Sequence, residues 1–419
     1  MLVENPFPGD TRVRNEAFTL ADNGFSVSVI ALGDEHTKFH EIVRGVSVYR
    51  FRRMTLFKKL PDRKRSGVNA VLNKLRVVVG YLSEYAYFTL GCLVLSVYVA
   101  MREGFDVVHA HNPPDTLFVV GAFHKIFGKK FVFDHHDLSP ELYRSRYKTA
   151  GGAVARVLGV LEKLSLKCAD VAIATNESYR AIDIQRNGID PERVFVVRNG
   201  PDLRRVKLTD PDEAVRRKGQ TVLAYLGMMN PQDGVDYLLR ALRYLKDDLG
   251  RPDFYCVLIG DGDSREQLRV QAVELGIADR VEFTGSIPDA DMLRYLSTAD
   301  ICLDPNPSSP LNDVSTWIKV MEYMALGKPV ISFDLKETRT SAGDAALYVP
   351  PNDETEFARA IARLMDDPGT RRKMGEVGRA RILSDLSWHV TSKNLLDAYG
   401  YLFAPTTHPG SVRRRPREV

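Results

Sequence analysis

The chain has 419 residues, 44% hydrophobic and 27% charged, with 30 Gly and 22 Pro; this is ordinary globular composition at a length that exceeds one comfortable core, so two domains are expected. Its 58 Lys and Arg stand against 54 Asp and Glu, a net charge of only +4, which excludes a nucleic-acid binder with a basic surface throughout. Cys92, Cys168, Cys256 and Cys302 show no CxxC spacing, which excludes a zinc ribbon or disulfide framework and fits a reducing, cytoplasmic compartment, and the opening MLVENPFPGD lacks the pattern of a secretory leader.

Residues 2–3 make a very short first strand, so further residues are expected ahead of Met1. A helical pattern from Thr11 stops at Gly24 and runs into a β-branched strand at 27–32. The unit recurs. An apolar helix ends near Gly104 before a strand at 105–109; a helix at 117–127 precedes a strand at 131–134. Helices at 153–168 and 178–187 precede strands at 171–174 and 194–197. Such alternation predicts a parallel sheet with ligands outside the carboxyl ends of its strands. After a hinge at 198–219 a second alternation follows. Strands at 222–226, 254–259, 281–284, 301–304, 329–333 and 346–349 are separated by helices near 234–247, 264–275, 289–298, 315–326 and 354–366. Two doubly wound α/β domains, 1–200 and 201–385, are expected around a deep cleft. A last helix occupies 386–404, and the Pro/Arg-rich tail 405–419 reads as disordered.

One segment departs from a purely soluble pattern. Arg50, Arg52, Arg53, Lys58, Lys59, Arg63, Lys64 and Arg65 face a lone Asp62, just ahead of an apolar stretch at 77–100. Glu84 interrupts that stretch, so a buried crossover helix is expected rather than a span. The basic run suits contact with an anionic membrane surface, with a solvated loop as the alternative.

The strongest constellation is STWIKVMEYMALGKPVISFD, residues 315–334. Ser315 and Thr316 are N-cap types, Leu326-Gly327 ends the helix, and the amides at 315–318 form an anion site suited to a diphosphate. Glu322 lies two turns on, on the same face, where a carboxylate can accept both ribose hydroxyls; pairing with Lys319 is the plainer alternative.

EYMALGKPV is similar to the E-A-M-A-x-G-x-P-V signature of the retaining, nucleotide-sugar-dependent glycosyltransferases of family 4, which have the GT-B fold. The likeness extends to DTRV at 10–13, FDVVHAHNPPD, FDHHD, ADVAIATNES, NGPD at 199–202, LIGDGDSREQL, VEFTGSIP and STADICLDP, nearly the whole chain. It implies a donor held by the second domain, an acceptor held by the first, and a final helix crossing back onto the first. By this resemblance Glu322 binds ribose and the amides from Ser315 through Thr316 to Ile318 bind the distal phosphate. Gly260, Asp261 and Gly262 let backbone approach the nucleotide; Thr284, Gly285, Ser286 and Ile287 frame the base. His136 meets the donor sugar near the reacting carbon, and Gly9 approaches the diphosphate.

Two departures stand out. The family's Glu eight residues before the ribose Glu is Val314 here, which leaves Asp313 or the Asn312 amide to contact the sugar. The family's Arg and Lys after the first strand of the second domain are absent from Gly227-Met228-Met229-Asn230-Pro231-Gln232-Asp233-Gly234. A diphosphate leaving without a cation meets a large electrostatic penalty, so Lys319, Arg12, Arg198 or a divalent metal must replace the pair. MNPQDGVDYLL and PLNDVST resemble bacterial surface-polysaccharide aminosugar transferases.

His109, His111, His135 and His136 with Asp115, Asp134 and Asp137 could hold a metal, but core or cleft-lining roles are the expectation, with no metal site. The resulting expectation is a UDP-sugar-dependent transferase needing no cofactor. It moves a hexose or N-acetylaminosugar, with retention, to a hydroxyl acceptor on a polyprenyl diphosphate at the inner membrane face. Rivals are transfer to a small soluble acceptor, a metal-dependent hydrolase on the HxH and HHD residues, and a non-catalytic nucleotide-sugar sensor. No nucleic acid partner is expected.

Overall fold

The computed structural model describes residues 1–53, 68–146 and 152–404. Most of the basic run at 50–65 and the tail 405–419 therefore lie outside the described residues.

The first sheet has eight strands: β1 (Leu2–Val3), β2 (Ser28–Gly33), β3 (His40–Val43), β4 (Val46–Arg52), β5 (Val107–His111), β6 (Lys130–His135), β7 (Val171–Ala174) and β8 (Val194–Val196). They run in the order β3-β4-β2-β1-β5-β6-β7-β8, parallel except for β3. The second sheet, β9 (Thr221–Leu226), β10 (Phe254–Ile259), β11 (Val281–Gly285), β12 (Ile301–Asp304), β13 (Val330–Phe333) and β14 (Ala346–Val349), is ordered β11-β10-β9-β12-β13-β14 and all parallel. Chain order reverses beside β1 and beside β9, so each sheet has a crevice at the carboxyl end of its first strand.

The first lobe carries helices α1 (Thr11–Asp22), α2 (Val68–Arg102), α3 (Phe118–Lys125), α4 (Ser139–Arg146), α5 (Gly152–Cys168) and α6 (Glu177–Gln185). Asp10 caps α1 by accepting from the Val13 amide at 3.0 Å, and Asn176 caps α6 by accepting from Tyr179 at 2.8 Å. The β3–β4 hairpin was not expected. Its two-residue turn, Arg44-Gly45, has both φ angles positive, 48° and 82°, the geometry that matches strand twist. It also corrects the basic-loop reading at its start, because Arg50 is buried in β4, donating to the Phe7 carbonyl at 2.8 Å and paired with Glu41 at 2.7 Å.

The last helix, Trp388–Phe403, packs on the first lobe rather than the second. Trp388, Leu395, Ala398, Tyr399 and Leu402 join Val13, Ala17, Val29 and Val171 in one core. Trp388 Nε1 donates to Thr19 at 2.9 Å, and Asn394 donates to the Val196 carbonyl at 2.8 Å.

Candidate active site

The carboxyl ends of the two sheets face each other. Asn176 Nδ2 donates to the Val314 carbonyl and to Thr316 Oγ1, both at 2.9 Å. Tyr179 Oη lies 3.3 Å from Ser315 Oγ, and α4 packs against Pro231–Asp233. Thr11, Arg14, Asn15 and Asn199 share a narrow cavity of about 20 Å³ with Arg205, Ile318 and Glu322. A far larger cavity, about 1130 Å³, opens at the opposite end of the first sheet beside Met1, Ser28, Glu103 and Tyr399, away from every expected site residue.

Glu322 sits on the Ile318–Ala325 helix at this interlobe groove, with its side chain 12% exposed. Burial raises its carboxyl above the ordinary range, opposed by Arg205, whose Nη1 donates to Oε1 at 3.2 Å. Arg205 also holds Asp289 at 2.5 Å. This arginine lies in the hinge text RNGPDLRRV and was not singled out by sequence, although that text was. The Lys319 pairing does not form.

The helix begins at Ile318 with Trp317 as its N-cap, which corrects the expectation that Ser315 and Thr316 cap it. Ser315 Oγ donates back to the Leu311 carbonyl at 2.7 Å, and Thr316 accepts from Asn176, so both hydroxyls serve the lobe contact. The free amides of the first turn lie just beyond them. Asn312 is likewise spent on backbone, donating to the Gln232 and Pro307 carbonyls at 2.9 and 2.8 Å. Asp313 Oδ2 accepts from Ser308 at 3.2 Å, while its Oδ1 is buried without a partner.

The glycines pack strand ends against each other. A Cβ on Gly260 would stand 2.0 Å from the Gly227 carbonyl oxygen, and one on Gly262 would stand 2.6 Å from the Met229 amide. The close approach at 260–262 is thus to the 227–229 loop. Asp261 accepts from the Gly262 amide at 2.8 Å and faces Arg265 at 3.3 Å, and those contacts lower its carboxyl. Thr284, Gly285, Ser286 and Ile287 follow at the end of β11, with Arg265 beneath Gly285.

The three proposed replacement cations each have protein partners. Lys319 Nζ is buried, donating to Asn306 Oδ1 at 2.7 Å and lying 3.6 Å from Asp304, with its Cε under Gly227. Arg198 reaches toward Glu337 at 3.5 Å. Arg12 is 5% exposed; it grips Asp134 through Nε at 2.6 Å and Nη2 at 2.8 Å, and donates to the Val197 carbonyl and Asn199 at 3.0 and 2.6 Å. Arg12 lines the groove cavity with its guanidinium shared among these partners, and the Lys319 ammonium is held by Asn306 and Asp304.

Arg12 anchors a buried network. Asp134 also accepts from His111 Nδ1 at 2.8 Å and lies 3.7 Å from His136 Nδ1. Burial opposes its charge, yet Arg12 and His111 hold it well below the ordinary Asp range. Glu16, which sequence reasoning missed, lies 3.2 Å from Arg12 and within 3.8 Å of His109 and His111; burial first, then Asp134, raise its carboxyl. Glu16, His109, His111 and Asp134 bring ligand atoms within 4.8 Å of one another. Both Asp134 oxygens already serve the guanidinium, whose charge also faces Glu16, whereas both Glu16 oxygens, His109 Nε2 and His111 Nε2 are buried without a hydrogen-bond partner. His135 is separate, bonded to Asp183 at 2.7 Å. The His136 and Asp137 amides both donate to Asn112 Oδ1, at 2.9 and 3.1 Å, which fixes the strand-end turn. Burial disfavours charge on His136, but Asp134 and Asp137 outweigh it and raise its pKa. His136 Nδ1 pairs with Asp134 more loosely, at 3.7 Å, than Arg12 and His111 do, and Arg14 lines the groove cavity beside Glu322.

Residues 9–205 match the family described as Glycosyltransferase Family 4, and residues 220–367 match Glycosyl transferases group 1, together most of the chain. The chain belongs to glycosyltransferase family 4. Among its relatives, this family 4 glycosyltransferase is 28% identical over 325 residues to the D-inositol 3-phosphate glycosyltransferase of Frankia alni, spanning 72% of this chain and 75% of the relative. Sucrose-phosphate synthase of Thermosynechococcus elongatus superposes with TM-score 0.72 at 22% identity, covering 94% of this chain and 93% of that one. Anabaena HepE, solved in complex with UDP-glucose, gives 0.68 at 18%, covering 96% and 98%. At those identities the likeness shows the fold, which is GT-B.

Proposed function

We propose that residues 201–385 hold a UDP-sugar and residues 1–200 hold a hydroxyl acceptor, and that a hexose or N-acetylaminosugar passes between them with retention. The observation that carries this reading is Glu322, a carboxylate at the interlobe groove facing Thr11 and Asn15. Arg205 takes only Oε1, which leaves Oε2 for a ribose hydroxyl. The amides opening the Ile318–Ala325 helix receive the diphosphate. His136, whose protonated form Asp134 and Asp137 favour, stabilises the leaving phosphate in place of the absent basic pair. As the sugar–phosphate bond breaks, the departing phosphate oxygen takes the acceptor proton, and the acceptor oxygen bonds the same face of the sugar carbon. No cofactor enters this scheme.

The acceptor is read as polyprenyl-diphosphate-linked, at the cytoplasmic face of the membrane in surface-polysaccharide assembly. A second reading, a small soluble acceptor, is favoured by the relatives named for D-inositol 3-phosphate. Mass spectrometry of products from UDP-glucose and UDP-N-acetylglucosamine with each acceptor class tests both. Glycosylated polyprenyl diphosphate alone supports the first, glycosylated inositol phosphate alone the second, and no transfer from any UDP-sugar refutes the donor assignment.

A further inference from the structure

Helices α2, α3 and α5 pack side by side over one face of the first sheet. Their inner sides are anchored: Phe88, Cys92, Leu95 and Val99 of α2, Val120 of α3 and Leu166 of α5 share one core. The outer sides carry large apolar groups in water. Leu90 and Val94 of α2 are 61% and 71% exposed, Ile126 and Phe127 at the end of α3 78% and 64%, and Val157 and Val160 of α5 52% and 57%. Exposed aliphatic groups on three adjoining helices mark an interaction face.

Beside Ile126 and Phe127, Lys125 and Lys129 pair with Asp170 and Asp106, but on α5 the exposed charge is one-sided. Arg156, Lys163 and Lys167 stand exposed on the same side of α5 as Val157 and Val160, and none has an ion-pair partner among the described residues. The one acid of α5, Glu162, is turned inward to Arg186 at 2.7 Å and His135 at 3.5 Å. Two copies meeting through this face about a twofold axis would bring the unpaired cations together. A protein partner would have to supply acids among its apolar groups. An anionic lipid surface supplies both components at once, with acyl chains for the aliphatic side chains and headgroup phosphates for the cations. The apolar stretch Ser83–Arg102 is one-third buried, and Phe88, Cys92, Leu95 and Val99 tie that side of α2 to the lobe.

We propose that the outer face of α2, α3 and α5 is a docking surface for an anionic phospholipid monolayer. It deepens the reading of a lipid-borne acceptor, yet vesicle binding needs neither donor nor turnover, so the two can fail separately. Each basic residue near such a surface strengthens binding about fivefold.

The test is sedimentation of the full chain with phosphatidylglycerol/phosphatidylcholine vesicles and with pure phosphatidylcholine. The proposal expects binding to the anionic vesicles that weakens with salt and falls at least tenfold in Lys163→Glu/Lys167→Glu. It also expects a clear loss in Val94→Ser/Ile126→Ser, with unchanged circular dichroism in both variants. It is overturned if the wild type ignores anionic vesicles, or if neither variant alters binding. A dimer by sedimentation velocity that Val94→Ser/Ile126→Ser dissociates, without vesicle binding, overturns it in favour of a second copy.

Discussion

The Arg12–Asp134 pair gives the most quantitative prediction. Both side chains are almost fully buried and joined by two hydrogen bonds of 2.6 and 2.8 Å. Arg12→Leu leaves Asp134 a buried carboxylate with His111 as its remaining close donor, and frees the Val197 carbonyl and Asn199 as well. Breaking a buried pair from one side costs about 3–5 kcal/mol, whereas replacing both partners by apolar groups is close to neutral. Arg12→Leu and Asp134→Leu should therefore each destabilise by about 4 kcal/mol, and the double variant should fall short of their sum by about 3 kcal/mol or more. Urea unfolding read through Trp388, which sits in the first-lobe core, in a Trp317→Phe background, measures this; the chain has 2 tryptophans. Because the folded pKa of Asp134 is depressed, its contribution is present above the unfolded value, about 4, and fades as pH falls below it. Single costs under about 1 kcal/mol, or additive costs, would refute a tightly coupled buried pair.

Other consequences follow from the same geometry. Gly260 has φ of 130° and no room for a Cβ; Gly260→Ala should cost about 3 kcal/mol in thermal unfolding, whereas Gly276→Ala, whose nearest neighbour is 3.7 Å away, should cost about 1 kcal/mol. The burial-raised Glu322 carboxyl should make UDP-glucose binding weaken as pH falls through a value above the ordinary Glu range, and Glu322→Gln should flatten that limb in titration calorimetry. The raised His136 is charged below its pKa, so kcat/KM should decline as pH rises through it; His136→Lys should move the decline upward by more than one unit, and an unmoved limb would remove His136 from the role.

The periodic parts of the fold were legible because each strand and helix carries its own pattern: β10, β12 and β14 begin and end where β-branched and apolar runs do. The hairpin at 40–52 was not, because Arg50 and Arg52 read as part of a surface charge run, while the sheet buries Arg50 against Phe7 and Glu41. Strand β5 runs to His111 instead of stopping at His109, since a histidine that bonds Asp134 is compatible with burial. At the site, Glu322 stands out through its motif and helix spacing. Roles that depend on distant partners do not: Arg12 meets Asp134 across 122 positions, and Thr316 meets Asn176 across 140. Lys319 looked available only because Asn306 and Asp304, on another strand end, were not yet beside it.

The central claim is that one carboxylate at the interlobe groove grips the donor's ribose. Titration calorimetry of UDP-glucose against the wild type and Glu322→Ala tests it most directly. A measurable wild-type affinity that drops at least about thirtyfold in the variant, the loss expected when charged hydrogen bonds are removed, is the predicted result. Equal affinity in a variant whose unfolding temperature is unchanged would contradict it.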